Sequence, residues 1–510
     1  MLTYSFAERG ETSLYEYLYR CIRKDIERGA IAPGEKLPSK RNLAQHLGVS
    51  LITVEGAYAQ LVAEGYLCAE PRRGYYACDL AAARPHSNVG SCAFDASLAA
   101  GFEQPEEGLA QAYASLAGQK GGSSSSGKPV ADFTGGSSLT ELFPYAAWAK
   151  SVREALTCEA ERSLVGDVGS AGTARLRRVI ADHLKGFRGM EVNPDCIVVG
   201  AGSQVLYNWL IQLLGRGLRY GVEDPGYVRL TKIYRANDVA LSAVPLDSQG
   251  VCLESVRNRG VDVLHIMPSH QYPTGLVTSV SRRYELLGWA SEAEGRFIVE
   301  DDYDCEFRLT GRPIPSLQSV DALGKVVYTN TFTKSLGPAF RIGYMVLPPM
   351  LAKRFREELG FYSCTVSAID QLALARFIES GDYERHVNRM RTHYRDVRDA
   401  LIGALRQSGL SGRITIERQD AGIHFLLGIE APKPAGALEW ERLFAQFCAE
   451  GGVRIRPLSS FCQSSENAAP KDCPVRRFVV SYGGVDAACI PKAVGVLGRA
   501  AEAADSATLR

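Results

Sequence analysis

The stretch TNTFTKSLGPAFRIGY, residues 329–344, follows the apolar run Val326, Val327, Tyr328 and sets one lysine, Lys334, among the hydroxyls of Thr331, Thr333 and Ser335. Arg341 stands seven residues further on. A β-branched run ending on such a cluster reads as a buried strand whose end holds an anion. Four short apolar runs precede it: DCIVVG (195–200), LRYGVED (218–224), VDVLHIMPS (261–269) and RFIVEDD (296–302). Helical segments separate them, and the alternation predicts a mainly parallel sheet with helices on both faces. In open sheets of this kind, ligands bind beyond the carboxyl ends of the strands.

Each strand end here carries a candidate group. The first runs into Gly202, Ser203 and Gln204, a small-residue turn that opens a helix and exposes amides to an anion. The second leads to the flat ring of Tyr227, and the third to the polar turn HQYPTG (270–275), which contains Tyr272. The fourth ends on Asp301, Asp302 and Tyr303, and the fifth on Lys334 with Arg341 beyond it. Singly, each has an ordinary structural reading: Ser203 caps a helix, Tyr227 packs, Asp301 is a solvated strand end. Together, an amine, an anion cradle, an aromatic face, a buried carboxylate and a phenol fit one aromatic aldehyde bearing a phosphate, pyridoxal 5'-phosphate. A lysine in a partly apolar pocket has a lowered pKa and condenses with an aldehyde. A carboxylate facing the pyridine nitrogen keeps it protonated, so the ring accepts electrons. Helix amides, hydroxyls and a guanidinium fork suit the phosphate. On this reading Lys334 meets the aldehyde, while Thr331 and Arg341 meet the phosphate.

The first eighty residues read differently. Ser13 and Glu16 have capping-box spacing, and Leu14, Leu18, Ile22 and Ile26 then recur on one helical face. Ser39 is placed to cap a short helix with Leu43, Ala44 and Leu47 inward, ended by Gly48; Ser50 caps the next, which runs to about Glu64 before Gly65. Helix, short turn with glycine, helix is the helix-turn-helix pattern. YLCAE and YYACD then flank the turn PRRG as a hairpin, the wing. A second helix of this kind fits the major groove, so the segment from Ser50 to Tyr58 faces the bases. Thr53 and Tyr58 are the expected base contacts; Ser39, Lys40 and Arg41 meet phosphates, and Arg72 and Arg73 on the wing reach the backbone or minor groove. The alternative for this segment is a helical dimerisation module.

Length and composition agree with two domains. At 510 residues the chain exceeds one ordinary domain. The only low-complexity tract, GQKGGSSSSGKP (118–129), is flexible in composition, and an Ala-rich segment with a short helical pattern, PEEGLAQAYASLA, precedes it. The expected division is a head at 1–79, a linker at 80–130 and a large module at 131–510. The net charge of +1 gives no global sign of nucleic-acid or membrane binding. Thirteen scattered cysteines without a C-x-x-C pair point to free thiols in a reducing cytoplasm. The first twenty residues have no apolar signal core, and no apolar run approaches membrane-spanning length.

The phrases EDDYDCEF, PSHQYPTG and TFTKSLGPAFRIGY carry a specific resemblance. Residues from about 130 onward resemble a fold-type I aminotransferase, and residues 1–79 resemble the winged helix-turn-helix of GntR-type regulators. The combination resembles the MocR subfamily of bacterial transcription regulators, over nearly all of the chain outside the linker. The resemblance implies an α+β winged head joined to a large α/β fold-type I aminotransferase-like domain, a pyridoxal-phosphate cofactor, an operator in double-stranded DNA and a head-to-tail homodimer. It implies Lys334 as the Schiff-base lysine, Asp301 at the pyridine nitrogen, Tyr303 at the ring hydroxyl and Tyr227 stacked on the ring. Ser203, Gln204, Thr331 and Arg341 surround the phosphate, and Arg229 matches a position that binds an effector carboxylate in some members.

Three departures stand out. Tyr272 replaces an asparagine that contacts the ring hydroxyl in aminotransferases, which usually carry Asn-Pro-Thr-Gly. In RFVVSYGG, Val479 occupies the position of their substrate-carboxylate arginine, with Arg476 and Arg477 out of register. Leu51 and Glu55 stand where many GntR-type proteins have arginines. A valine cannot clamp a carboxylate, so the first reading is a regulator that senses pyridoxal phosphate or an amino compound. The second is a working aminotransferase carrying a DNA-binding appendage, and turnover of amino and keto acids separates the two.

Overall fold

The computed structural model describes residues 4, 6, 12–70, 73–80, 129–135, 140–157, 166, 168–309, 315–420, 422–432, 436–464 and 473–509. Residues 81–128 of the expected linker, including its short helical pattern, and the wing residue Arg72 lie outside the described residues.

In the head, helix α1 (Leu14–Glu27) buries Leu18, Ile22 and Ile26. The expected capping box does not form: Ser13 makes no side-chain cap bond, and Glu16 pairs with Arg20 at 2.6 Å, one turn on. Helices α2 (Lys40–Leu47) and α3 (Leu51–Glu64) are capped as read. Ser39 accepts from the Asn42 amide and Ser50 from the Thr53 amide, each at 3.2 Å. Gly48 and Gly65 close them in the left-handed region, at φ 66° and 79°. Strands β1 (Lys36–Leu37), β2 (Leu67–Glu70) and β3 (Gly74–Ala77) form the wing sheet in the order β1-β3-β2. The head's apolar core takes in Val280 of the large module, and a Cβ at Gly65 would lie 3.1 Å from the Ser279 Cβ.

The large module begins at β4 (Ala131–Asp132), which pairs with β15 (Val453–Arg454). Its main sheet has eight strands: β5 (Ile197–Gly200), β6 (Arg219–Asp224), β7 (Ala240–Asp247), β8 (Gly250–Val251), β9 (Val263–Ile266), β10 (Phe297–Asp301), β11 (Val326–Thr331) and β12 (Gly343–Val346). Their order is β5-β12-β11-β10-β9-β6-β7-β8. The five neighbours from β11 to β7 are parallel, whereas β12 runs antiparallel to both β11 and β5. The connection from β11 to β12 is too short for a crossover helix, so the chain turns back. Helices Ser203–Leu214 and Pro349–Glu358 bury one face of the sheet; Ala174–Arg188 and Val280–Ser291 bury parts of the other.

A second antiparallel sheet closes the C-terminal part, in the order β13 (Ile414–Glu417), β14 (His424–Glu430), β17 (Val475–Ser481), β16 (Arg456–Pro457). One face packs through Phe425, Phe478 and Val480 on helices Ala437–Glu450 and Ile490–Thr508. The other face, with Leu426 and Val479, meets Tyr272 of the main module. Among the described residues no helix is long and apolar enough to cross a membrane.

Candidate functional site

The carboxyl ends of β5, β6, β9, β10 and β11 open on one edge of the main sheet. At the first, Gly202 starts the helix Ser203–Leu214 with φ 80° and no side-chain cap, so the first-turn amides of Ser203 and Gln204 have no acceptor among the described residues and can meet an anion. Arg341 comes over the same turn: its Nη2 donates to Ala201 O at 3.2 Å, and a Cβ at Gly202 would sit 3.0 Å from that nitrogen. A side chain there would press on the guanidinium, and the positive φ independently favours glycine. Arg341 itself holds φ 52°, a left-handed backbone conformation unusual outside glycine. Thr331 ends β11, and Thr333 opens the single-turn helix Thr333–Leu336 that carries Lys334. Ser335 turns inward, donating to Phe332 O and hydrogen-bonding the Tyr383 hydroxyl.

The Lys334 amine has no hydrogen-bond or ion-pair partner among the described residues. Burial lowers its pKa below the usual lysine value, opposed by the nearby Asp304 carboxylate. Asp301, buried at the end of β10, accepts from the Tyr207 hydroxyl at 2.5 Å and has His265 Nε2 at 3.7 Å. His265 Nδ1 in turn meets the Tyr234 hydroxyl at 2.7 Å. Asp302 faces away: Arg188 pairs with it at 2.7 Å and Tyr328 donates to it at 2.8 Å, all buried. The alternation of a strand separates these adjacent carboxylates.

Aromatic rings close the pocket. Tyr272 stands edge-on to Tyr227 (6.0 Å between centroids), Tyr303 (6.1 Å), His424 (5.3 Å) and Phe461 (5.5 Å). The Tyr303 hydroxyl lies 3.1 Å from His270 Nδ1, which also meets Asp304 at 2.9 Å. Burial raises the Tyr303 phenol well above its usual pKa and pushes His424 well below the usual histidine value, leaving it neutral. Under the floor, burial lifts Glu223 to about 8, although it accepts from the Met267 amide at 3.1 Å. Arg229, exposed on the helix Val228–Ala236, sits close enough to Tyr227 to lower its phenol against the burial that raises it.

The sequence reading missed the partners that orient the set. Tyr207 carries a signal in hindsight, four residues past Ser203 on the same helix face. His265 is a polar break in an otherwise apolar strand, and His424 had none.

In the head, the exposed hydroxyl of Ser50 also hydrogen-bonds Thr53 Oγ1 at 2.8 Å. Lys40 pairs with Glu55 at 2.9 Å; Arg41 is exposed, and Arg73 is exposed beside Glu70 at 3.4 Å. Tyr58 does not face the bases. It is fully buried, donates to Pro38 O at 2.9 Å and packs edge-on to Tyr75, because its position faces the head's own core. Ile52, at the start of α3, is 78 % exposed.

Two family descriptions match the chain: "Bacterial regulatory proteins, gntR family" over residues 14–76, and "Aminotransferase class I and II" over residues 136–467. The regulatory protein MocR of Rhizobium meliloti, named for probable rhizopine catabolism, is 30 % identical over 93 % of this chain and 91 % of its own. The chain belongs to the MocR subfamily of GntR-type regulators. The HTH-type transcriptional regulator YdeL of Bacillus subtilis is 36 % identical over 88 % of this chain and 89 % of its own. The fold of the large module matches the multiple substrate aminotransferase of Thermococcus profundus, with TM-score 0.62 and 22 % identity over 80 % of this chain and 96 % of that one. The residues present fit pyridoxal phosphate: a glycine cradle backed by Arg341, a buried Asp301 and a partly buried Lys334 with no partner among the described residues.

Proposed function

We propose that the protein is a DNA-binding transcription regulator whose aminotransferase-like module holds pyridoxal phosphate on Lys334 and senses that cofactor, an amino compound, or both. When bound, the cofactor supplies an aldehyde for amines and a ring that accepts electrons. Lys334 offers a lone pair because desolvation favours its neutral form. Asp301 faces the pyridine nitrogen, with Tyr207 holding the carboxylate. Tyr227 stacks on the ring, while Tyr303 and Tyr272 line the side of the ring hydroxyl. The amides of Ser203 and Gln204, the hydroxyls of Thr331 and Thr333, and Arg341 hold the phosphate, with Gly202 shaping the turn while its own amide donates to Gly200 O. Arg229 is poised for an effector carboxylate. In the head, Ser39, Lys40, Arg41, Arg73 and the start of α3 at Ser50 and Thr53 meet DNA. The division falls near residues 79 and 131, and the working form is a head-to-tail homodimer in the cytoplasm. Ligand occupancy acts on DNA by favouring one arrangement of the heads over another.

The observation that carries this reading is the unpartnered Lys334 amine at the same sheet edge as the buried Asp301 carboxylate. Reconstitution with pyridoxal phosphate tests it. The wild type gains a visible absorbance band, Lys334→Ala does not, and effector-dependent DNA binding is lost with it. An effector response that survives unchanged in Lys334→Ala overturns the mechanism. The complete Lys334 and Asp301 pair also favours a second reading, catalytic turnover; multiple turnovers of amino and keto acids at ordinary enzyme rates would establish it.

A further inference from the structure

The position that holds a carboxylate-binding arginine in aminotransferases is Val479 here, and neither neighbouring arginine on β17 fills the gap. Arg476 points to the opposite face, where its Nε donates to Glu441 at 2.8 Å with both side chains buried. Arg477 returns to the pocket-side face but is held by Glu417 at 3.1 Å. The adjacent strand brings another arginine. Arg456 of β16 stands directly opposite Val479 in the antiparallel ladder. Directly opposed side chains project from the same face, with Cβ atoms about 4.5–5.5 Å apart.

On that face Val479 packs with Leu426, Phe461 and Tyr272, and Tyr272 is edge-on to Tyr227 and Tyr303. The Arg456 charge reaches the Tyr272 phenol: it pulls that pKa down, against the burial that lifts it to about 12. Arg456 is partly buried and has no hydrogen-bond or ion-pair partner among the described residues. A partly desolvated guanidinium without a partner is set for a planar anion, since bidentate carboxylate binding restores what burial removes.

We propose that Arg456, partly buried where Arg229 is exposed, replaces the arginine missing at 479 and is the main contact for the carboxylate of an amino-acid effector in the pocket beside Tyr272. The assignment rests on the cofactor reading above and narrows the effector to compounds carrying both an amine and a carboxylate. A simple amine would reach Lys334's neighbourhood but leave the Arg456 guanidinium unsatisfied.

The test uses full-length protein loaded with pyridoxal phosphate, titrated with the common amino acids and with the amines formed by their decarboxylation, following the visible spectrum. The wild type favours at least one amino acid over its matching amine by about ten- to a hundredfold. Arg456→Met removes that preference while retaining the cofactor band, and the double variant Arg456→Met, Val479→Arg restores it by returning the charge across the ladder. The assignment is overturned if Arg456→Met keeps the preference, or if the wild type shows none. A wild type that gains no visible band before any amino acid is added overturns the cofactor reading, and this assignment with it.

Discussion

In the head, Lys40 is held by Glu55 at 2.9 Å and Arg73 lies 3.4 Å from Glu70, whereas the partly buried Lys334 and Arg456 at the pocket have no ion-pair or hydrogen-bond partner among the described residues. The difference follows from solvent. Exposed ion pairs contribute between nothing and about 1 kcal/mol, so an arriving phosphate displaces them at little cost. A partly buried cation without a partner has lost hydration, and the fold retains that cost only because other contacts hold the pocket. Basic groups on the head can therefore be paired at rest and still serve DNA. Those in the pocket are ordered in advance for a small anionic ligand.

Breaking a buried pair should have the largest effect. Arg476→Ala strands Glu441 in the core of the C-terminal sheet and should cost about 3–5 kcal/mol in denaturant unfolding. Arg456→Ala, one strand away and unpartnered, should stay within about 0.5 kcal/mol. Equal losses would break the distinction between structural and ligand-directed arginines.

The next effect depends on pH. Burial disfavours the charge of Glu223 and lifts its pKa to about 8 in the folded chain, from the usual 4.5. A folded pKa above the unfolded one means that the folded state binds the extra proton between these values. The contribution is fully present below about pH 4.5 and is lost as pH rises through 8. Across that window the group should remove roughly 1.4 kcal/mol of stability per pH unit. Thermal unfolding without added cofactor should show Glu223→Gln flattening that decline. An unchanged pH profile would locate the alkaline loss in Glu300 or Glu306, both lifted to about 7 by burial.

Smaller effects belong to the head. Tyr58→Phe removes the hydrogen bond to Pro38 O and should cost about 1 kcal/mol of stability with operator affinity unchanged. Ile52→Ala should do the reverse, keeping stability and weakening operator binding by up to about tenfold through lost apolar contact with a base. Gel-shift titrations beside melting curves distinguish the two. Glu55→Gln should leave the slope of log affinity against log salt unchanged, because the exposed pair already opens for phosphate, whereas Lys40→Gln should flatten it by about 0.9. A slope that Lys40→Gln does not change would show that Lys40 does not meet DNA.

Much of the fold was readable because its signals are local. The five strand runs that end at the pocket, the caps at Ser39 and Ser50 and the left-handed glycines at 48 and 65 each depend on neighbours within a few residues. Strands β7 and β12 were missed for a related reason. β7 (Ala240–Asp247) mixes small and polar residues, and β12 was hidden in the glycine- and proline-containing stretch after Lys334. Tyr58 shows the limit of a motif: its place on the recognition helix is visible in the sequence, but the side of the helix facing solvent is not.

By itself the sequence determined the two-part architecture, the subfamily and the strand-end residues Gly202, Tyr227, Asp301 and Lys334. Periodicity, turn chemistry and motif spacing are written into consecutive residues. Only the tertiary structure decided which charges are spent on one another and which remain open: Tyr207 against Asp301 across 94 residues, Arg476 buried against Glu441, and Arg456 facing Val479 through the register of two strands. Partnership between distant side chains depends on register and burial, and neither quantity exists until the chain has folded.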